Sequence, residues 1–292
     1  MKPVVSIDTG RRSALKLGSA AVALLALSPL SGCLNRPLMP EQRVEGVVWQ
    51  LDHDTLDIQG NWDRMGTRTL LVQWTAVDGT SFVKGGPWPE AARLPDWQAI
   101  SRQPWAKEVI LGLAGRMDEK AARADFAGLI AVSEQLAKLP TPLNVVGYYF
   151  PVEIDSSWQG TAQLGPLLDR LPRPLWLTLY DSANVGPETL AQWLDTWLPA
   201  DVGIFFQDGV GVHARSAKVA RQHADVLRKK LGNARLRVIA EAFRPKEGGG
   251  FRSATAEELR AQLQTYEGLS VYLFDGPHYV SEKLVNELTL NP

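Results

Sequence analysis

Two glutamates stand where an acid–base pair would be useful. Glu153 lies in the segment YYFPVEID, and Glu241 closes the apolar run LRVIAE. Cleaving a glycosidic bond takes two carboxyls. One protonates the leaving oxygen, and the other attacks the anomeric carbon or activates water, with a separation of about 5–5.5 Å for retention and about 6.5–9.5 Å for inversion. A carboxylate on an apolar strand is costly to bury without partners. Glu241, flanked by Ala240 and Ala242, is therefore either catalytic or paired with Arg244 or Arg237.

Around this pair the chain carries flat aromatic faces and hydrogen-bonding groups in quantity. Trp49, Gln73, Trp74, Tyr149, Asp155, Trp158, Tyr180, Gln207, Asp208, Phe243 and Asp275 all fall at or just after short apolar runs. Indole and phenol rings suit the CH faces of sugars, and amides and carboxylates suit hydroxyls. The plainer explanation is that strand ends carry polar residues because they meet water.

Other chemistries fit less well. The four His residues, at 53, 213, 223 and 278, form no HExxH pair. His53, between Asp52 and Asp54, is placed either to hold a divalent metal or in a turn with solvated acids, and the turn is the expectation. His223 falls in a helical segment and is expected to face solvent. No Gly-x-Ser-x-Gly elbow is present. No cofactor and no metal is implied. With 31 basic and 32 acidic residues and no basic tract, nucleic acid is not an expected partner.

The elements that must position these residues alternate along the chain. Short β-rich apolar runs span 46–51, 69–74, 108–113, 144–150, 175–180, 202–206, 236–240 and 269–274. Helical spacing of apolar residues marks 124–139, 164–171, 187–198, 216–231, 255–266 and 281–288, with weaker segments near 57–65 and 96–105. Thr255 and Glu258 form a capping box. Nearly continuous apolar strands indicate a parallel sheet buried on both faces. Eight β-α units in about 250 residues match an α/β fold of the (β/α)8 TIM-barrel type, a single domain whose active site lies at the C-terminal strand ends. A doubly wound open sheet is disfavoured because no Gly-rich phosphate loop follows the first strand. Gly248, Gly249 and Gly250 read as a flexible loop.

The N-terminal region reads as an address. Residues 1–32 combine Arg11 and Arg12, an apolar stretch of about 14 residues and the sequence LSGC, the pattern of a secretory signal too short to span a bilayer of roughly 20 helical residues. The paired arginines resemble a twin-arginine motif, with Ala14 in place of the usual Phe. The end resembles a lipobox in which Cys33, the single cysteine, becomes lipidated. Residues 33–43 form a Pro-containing tether and residues 44–292 the barrel. Leu34 after Cys33 favours outer-membrane sorting, on the periplasmic or surface face. The membrane is thus an expected partner through the lipid anchor, and the domain is expected to be a monomer.

Trp62, Met65, the TLLVQWT segment at 69–75 and YYFPVEID at 148–155 with Trp158 resemble the family known as domain of unknown function 4434. That resemblance covers most of residues 44–280 and implies a glycoside-hydrolase-like barrel with Gln73, Trp74, Tyr149, Glu153 and Trp158 in its cleft. The arrangement is also similar to the large retaining-glycosidase clan, which implies Glu153 as acid/base and Glu241 as nucleophile. That clan usually has Asn before the fourth-strand Glu, and here Val152 stands there. Either Gln207 or another residue then contacts the sugar 2-hydroxyl, or the catalytic assignment does not hold. The expectation is an exported lipoprotein glycosidase acting on an extracellular or cell-envelope polysaccharide or oligosaccharide. Its rivals are a non-catalytic carbohydrate-binding lipoprotein that assists exopolysaccharide assembly or export, and a metal-dependent hydrolase or deacetylase.

Overall fold

The computed structural model describes residues 44–290. Arg11, Arg12, Cys33 and the tether lie outside the described residues.

Eight strands close a barrel: β1 (Val44–Trp49), β2 (Thr69–Val72), β3 (Glu108–Gly112), β4 (Val145–Ile154), β5 (Leu175–Leu179), β6 (Val202–Gln207), β7 (Leu236–Glu241) and β8 (Val271–Phe274). Their order round the barrel is β1-β8-β7-β6-β5-β4-β3-β2, every neighbouring pair parallel. This is the (β/α)8 barrel expected from the alternation. One side chain from each strand fills the centre: Val48, Leu71, Ile110, Tyr149, Trp176, Phe205, Ile239 and Tyr272. The opposite strand faces meet the helices in a second, larger core. Bulky rings fit inside because small residues face them. A Cβ on Gly203 would lie 2.3 Å from the Trp176 ring.

The helices are α1 (Trp97–Ile100), α2 (Glu119–Ala124), α3 (Phe126–Leu136), α4 (Leu164–Leu168), α5 (Pro187–Trp197), α6 (Ala217–Leu231), α7 (Ala256–Thr265), α8 (Gly276–Tyr279) and α9 (Glu282–Thr289). Side-chain caps start most of the longer ones: Ser216 for α6, Ser281 for α9, and the reciprocal Thr255–Glu258 box for α7. The helix expected over 124–139 forms as α3, and an unexpected short α2 precedes it, the two separated by Asp125, whose φ/ψ of −103°/22° leaves the helical region. Near 57–65 only a 3-10 turn forms, Trp62–Met65. The segment 96–105 is α1 followed by a 3-10 turn at Pro104, which cannot supply the amide a continuing helix needs. The crossover from β2 to β3 is therefore mostly loop, and its short strands Ala76–Val77 and Thr80–Ser81 form a small three-stranded sheet with Ala114–Gly115, which follows β3.

One strand departs from expectation usefully. β4 continues four residues past Phe150, and its register against β5 shifts by two extra residues between Phe150 and Glu153. A bulge of this kind re-aims side chains near active sites. Two extra residues preserve the alternation. Tyr149, Pro151 and Glu153 therefore share the inner face, while Phe150, Val152 and Ile154 pack outward.

Candidate active site at the barrel mouth

A cavity of about 160 Å³ opens at the C-terminal strand ends. Tyr149, Val48 and Ile239 form its floor, Trp74, Pro151, Met117 and Phe274 its apolar walls, and Gln50, Gln73, Thr178, Gln207, Glu119 and Glu153 its polar groups. It thus gathers Gln73, Trp74, Tyr149, Glu153 and Gln207 from among the residues singled out in the sequence. The Oε1 atom of Gln73 is buried there without a hydrogen-bond partner, an acceptor free for a ligand hydroxyl.

Glu153 has two side-chain partners that favour its charged form. Gln207 Nε2 donates to its Oε2 at 2.8 Å, and Arg123 Nη2 lies 3.5 Å from its Oε1. Burial raises its pKa, while Arg123 and Gln207 pull the other way. Its own backbone N–H donates to Glu119 Oε2 at 3.0 Å.

Glu119 was not singled out in the sequence. It opens α2 just behind the capping residue Asp118, where an acid is commonplace because it complements the helix dipole. The fold turns that first helical residue into the cavity beside Glu153. Burial, and then the charge of Glu153, raise the Glu119 pKa to about 7. The only available signal was its place in the loop after the third strand, three residues beyond Arg116.

Glu241 shares the inner face of β7 with Ile239, yet it does not line the cavity. The turn after β6 roofs it: Val212 N donates to its Oε2 at 3.1 Å, and the Gly211 amide bonds it as well. Its side chain pairs with neither Arg244 nor Arg237. Arg244 donates to the Glu241 backbone carbonyl, and Arg237 stacks on Trp176 with its guanidinium carbon 3.9 Å from the ring centroid. Burial, and then Asp208, raise the Glu241 pKa to about 7. Gly211 is required for this closeness, since a Cβ there would stand 2.6 Å from Glu241 Cβ.

The buried strand-end aspartates are corrected from sugar ligands to loop pins. Asp155 accepts from Ser157 N, Ser182 N and Ser182 Oγ; Asp208 from Val210 N, Glu241 N, Gln262 Nε2 and Tyr266 Oη; Asp275 from Gln50 N and His278 N. All three are fully buried and their oxygens are taken, so substrate cannot reach them. Trp49 is likewise corrected: it faces outward, buried against Trp97, with Nε1 on Thr55. Trp158 packs on Phe126, Tyr180 lies under Arg215, and Phe243 is buried among Phe251, Phe274 and Tyr279, all outside the cavity lining.

The histidines also differ from expectation. His223 is buried, stacked on Phe206 and 3.2 Å from Asp181, because the helix face that carries it is the core face. Asp52 closes a local turn by accepting from Asp54 N and Thr55 N, and His278 bridges Asp275 and Asp52 at 2.8 and 3.1 Å. Among the described residues, no group of three His, Cys, Asp or Glu side chains is arranged to hold a metal ion.

No family model and no curated protein matches the chain. Solved structures do match in fold. A proposed α-L-fucosidase from Bacteroides thetaiotaomicron superposes with a TM-score of 0.56 at 15% identity, covering 94% of this chain and 97% of that one. The PgaB (BpsB) glycoside hydrolase domain from Bordetella bronchiseptica gives 0.49 at 14% identity, covering 85% and 100%. A chitinase from Chromobacterium violaceum gives 0.46 at 12%, again covering 85% and 100%.

Proposed function

We propose that the protein is a glycoside-hydrolase-like enzyme that works on a glycan from the mouth of the barrel. The observation that carries this reading is the pairing of two carboxyls, Glu119 and Glu153, in one aromatic-walled cavity, where Gln207 and Arg123 contact the side chain of Glu153 alone. Glu153, gripped by Gln207 and Arg123, is assigned as the charged partner on those two contacts, which offset part of the rise that burial causes. Glu119 keeps its proton to near pH 7. Environments that push two carboxyls apart assign acid and base. Glu119 then protonates the leaving oxygen, and Glu153 attacks the anomeric carbon or activates water. Trp74 and Tyr149 offer faces to the sugar, and Gln73 Oε1 and Gln207 meet its hydroxyls. The likeness in fold to a barrel named as an α-L-fucosidase supports the class and leaves the sugar open.

A second reading keeps Glu241 as the partner of Glu153, as the sequence suggested. Its support is the inner-face position of Glu241 at the same end of the barrel. The two readings separate by leaving group. Glu153→Gln is expected to abolish turnover while polysaccharide binding persists. Glu119→Gln is expected to lose far more rate on glycosides with poor leaving groups than on activated aryl glycosides, and Glu241→Gln to keep the wild-type ratio. A fully active Glu153→Gln enzyme would sink the assignment.

The proposal extends to the address. Arg11, Arg12 and Cys33 direct export and lipidation, and the substrate is then a cell-envelope or extracellular polysaccharide. Palmitate labelling that is unchanged in Cys33→Ala would overturn this part alone.

A further inference from the structure

Beyond Glu241 the chain forms a hairpin that the cavity does not use. Phe243–Pro245 pairs antiparallel with Phe251–Ser253, and Gly248, Gly249 and Gly250 turn the tip at φ values of 86°, 103° and 75°. The expected flexible loop is thus the tip of a held element. Arg252 grips Glu258 of α7 with two hydrogen bonds of 2.8 and 2.7 Å, and Ala254 N bonds Ala242 O. Such anchoring removes the usual reason for a hairpin to be mobile.

The hairpin presents one aromatic ring to solvent. Phe251 is 47% exposed, the one exposed Phe, Trp or Tyr among the described residues. Its ring packs edge-on against Phe243, with centroids 4.7 Å apart. Phe243 in turn meets Phe274, and Phe274 is a wall of the cavity. The buried Phe243 therefore links Phe274 at the cavity wall to Phe251 at the outer surface, with ring centroids 6.3 and 4.7 Å apart. The cavity itself, at about 160 Å³, falls below the roughly 300–1,000 Å³ of ordinary ligand pockets, so it holds about one sugar ring. Anything longer must continue outside it, and these rings mark one direction.

We propose that Phe251 is a second carbohydrate-binding position, stacking a sugar of the same chain that enters the cavity, so that the substrate is a polysaccharide strand and not a small glycoside. The inference rests on the glycan reading above, but not on which carboxyl is the acid. A rigid ring offered to solvent beside a one-ring cavity suits the apolar CH face of a pyranose. The strand pairing and the Arg252–Glu258 bonds hold the hairpin that carries it.

Affinity electrophoresis tests this without any hydrolysis. The probes are hydroxyethyl cellulose, alginate and glycol chitosan, one neutral, one anionic and one cationic chain, each cast in a native gel. The wild type is expected to be retarded by at least one. Phe251→Ala is expected to weaken that retardation by about tenfold in apparent affinity, the scale of an aromatic contact, and Phe251→Trp to keep it. Because Phe251 is exposed, both variants should melt like the wild type. Equal retardation of Phe251→Ala and wild type overturns the proposal, as does a wild type retarded by none of the three. Glu153→Gln in the same gels separates the two claims. If it is retarded normally but still hydrolyses, the catalytic reading fails and the Phe251 position stands.

Discussion

At the level of single residues, Glu119 and Glu153 share a cavity and are joined by the hydrogen bond from Glu153 N to Glu119. A carboxyl whose folded pKa is raised holds its proton longer in the fold than in the unfolded chain. Between about pH 4.5 and 7, folded Glu119 keeps a proton that the unfolded chain has released. Stability therefore falls as pH rises through that window. Replacing Glu119 with Gln is expected to flatten this decline, raising Tm relative to wild type by a few °C at pH 7 and by less at pH 5, on the order of 1–2 kcal/mol. Calorimetric scans across that range check it, and a Tm difference independent of pH would count against a raised Glu119. Activity has the same sign: if Glu119 is the acid, turnover falls as pH rises past about 7. Glu119 also shows why residue-level reading falls short. A glutamate behind a helix cap looks alike in sequence whether it greets the dipole or enters an active site. The strand-end aspartates fail in the opposite sense. Their types suit sugars, but their backbone partners, visible only in the fold, have already taken them.

At the level of elements, the loops after β6 and β7 meet over Glu241. Asp208 ties them, accepting from Val210 N in one and from Glu241 N and Tyr266, just after α7, on the other side. Gly211 lies so close to Glu241 that any side chain must displace one of them. Gly211→Ala is expected to cost about 1–3 kcal/mol, the usual scale of overpacking, seen as a lower midpoint in urea with m unchanged. A variant as stable as wild type would mean the turn is not seated on Glu241. All eight strands were legible to within a few residues, because each is a short β-branched and aromatic run that must be buried on both faces. The long amphipathic helices were legible for the same reason of period. The β2–β3 crossover was not, since α1 and its neighbouring turns carry too few periodic residues. The bulge in β4 was invisible too, because Pro151 and Val152 are as apolar as the strand they extend. That bulge nevertheless aims the one glutamate that both sequence and structure place in the site.

At the level of the whole molecule, the barrel is one closed sheet whose first and last strands form the seam. His278 clamps it, bonded to Asp275 after β8 and to Asp52 after β1. The hydrogen bond to Asp275, with the charges of Asp275 and Asp52, raises its pKa to about 9. The clamp's contribution is therefore complete below pH 6.5 and fades as pH rises towards 9. His278→Gln is expected to lower Tm at pH 6 and to have much less effect above pH 9. An equal loss at both would show that the charge on His278 does not hold the seam. Taken with Glu119 and Glu241, this places greatest stability on the acid side of neutrality.

The seam also sets a clock. Gln50 and Asp275, which bond across it, are 225 residues apart, so β1 leaves the ribosome long before its second neighbour exists. Until β8 arrives, one edge of β1 is an unpaired parallel edge, open to any other strand. Closure of the sheet thus waits for the C-terminal strand. A chain that lacked β8 would leave that edge of β1, and the facing edge of β7, without a partner.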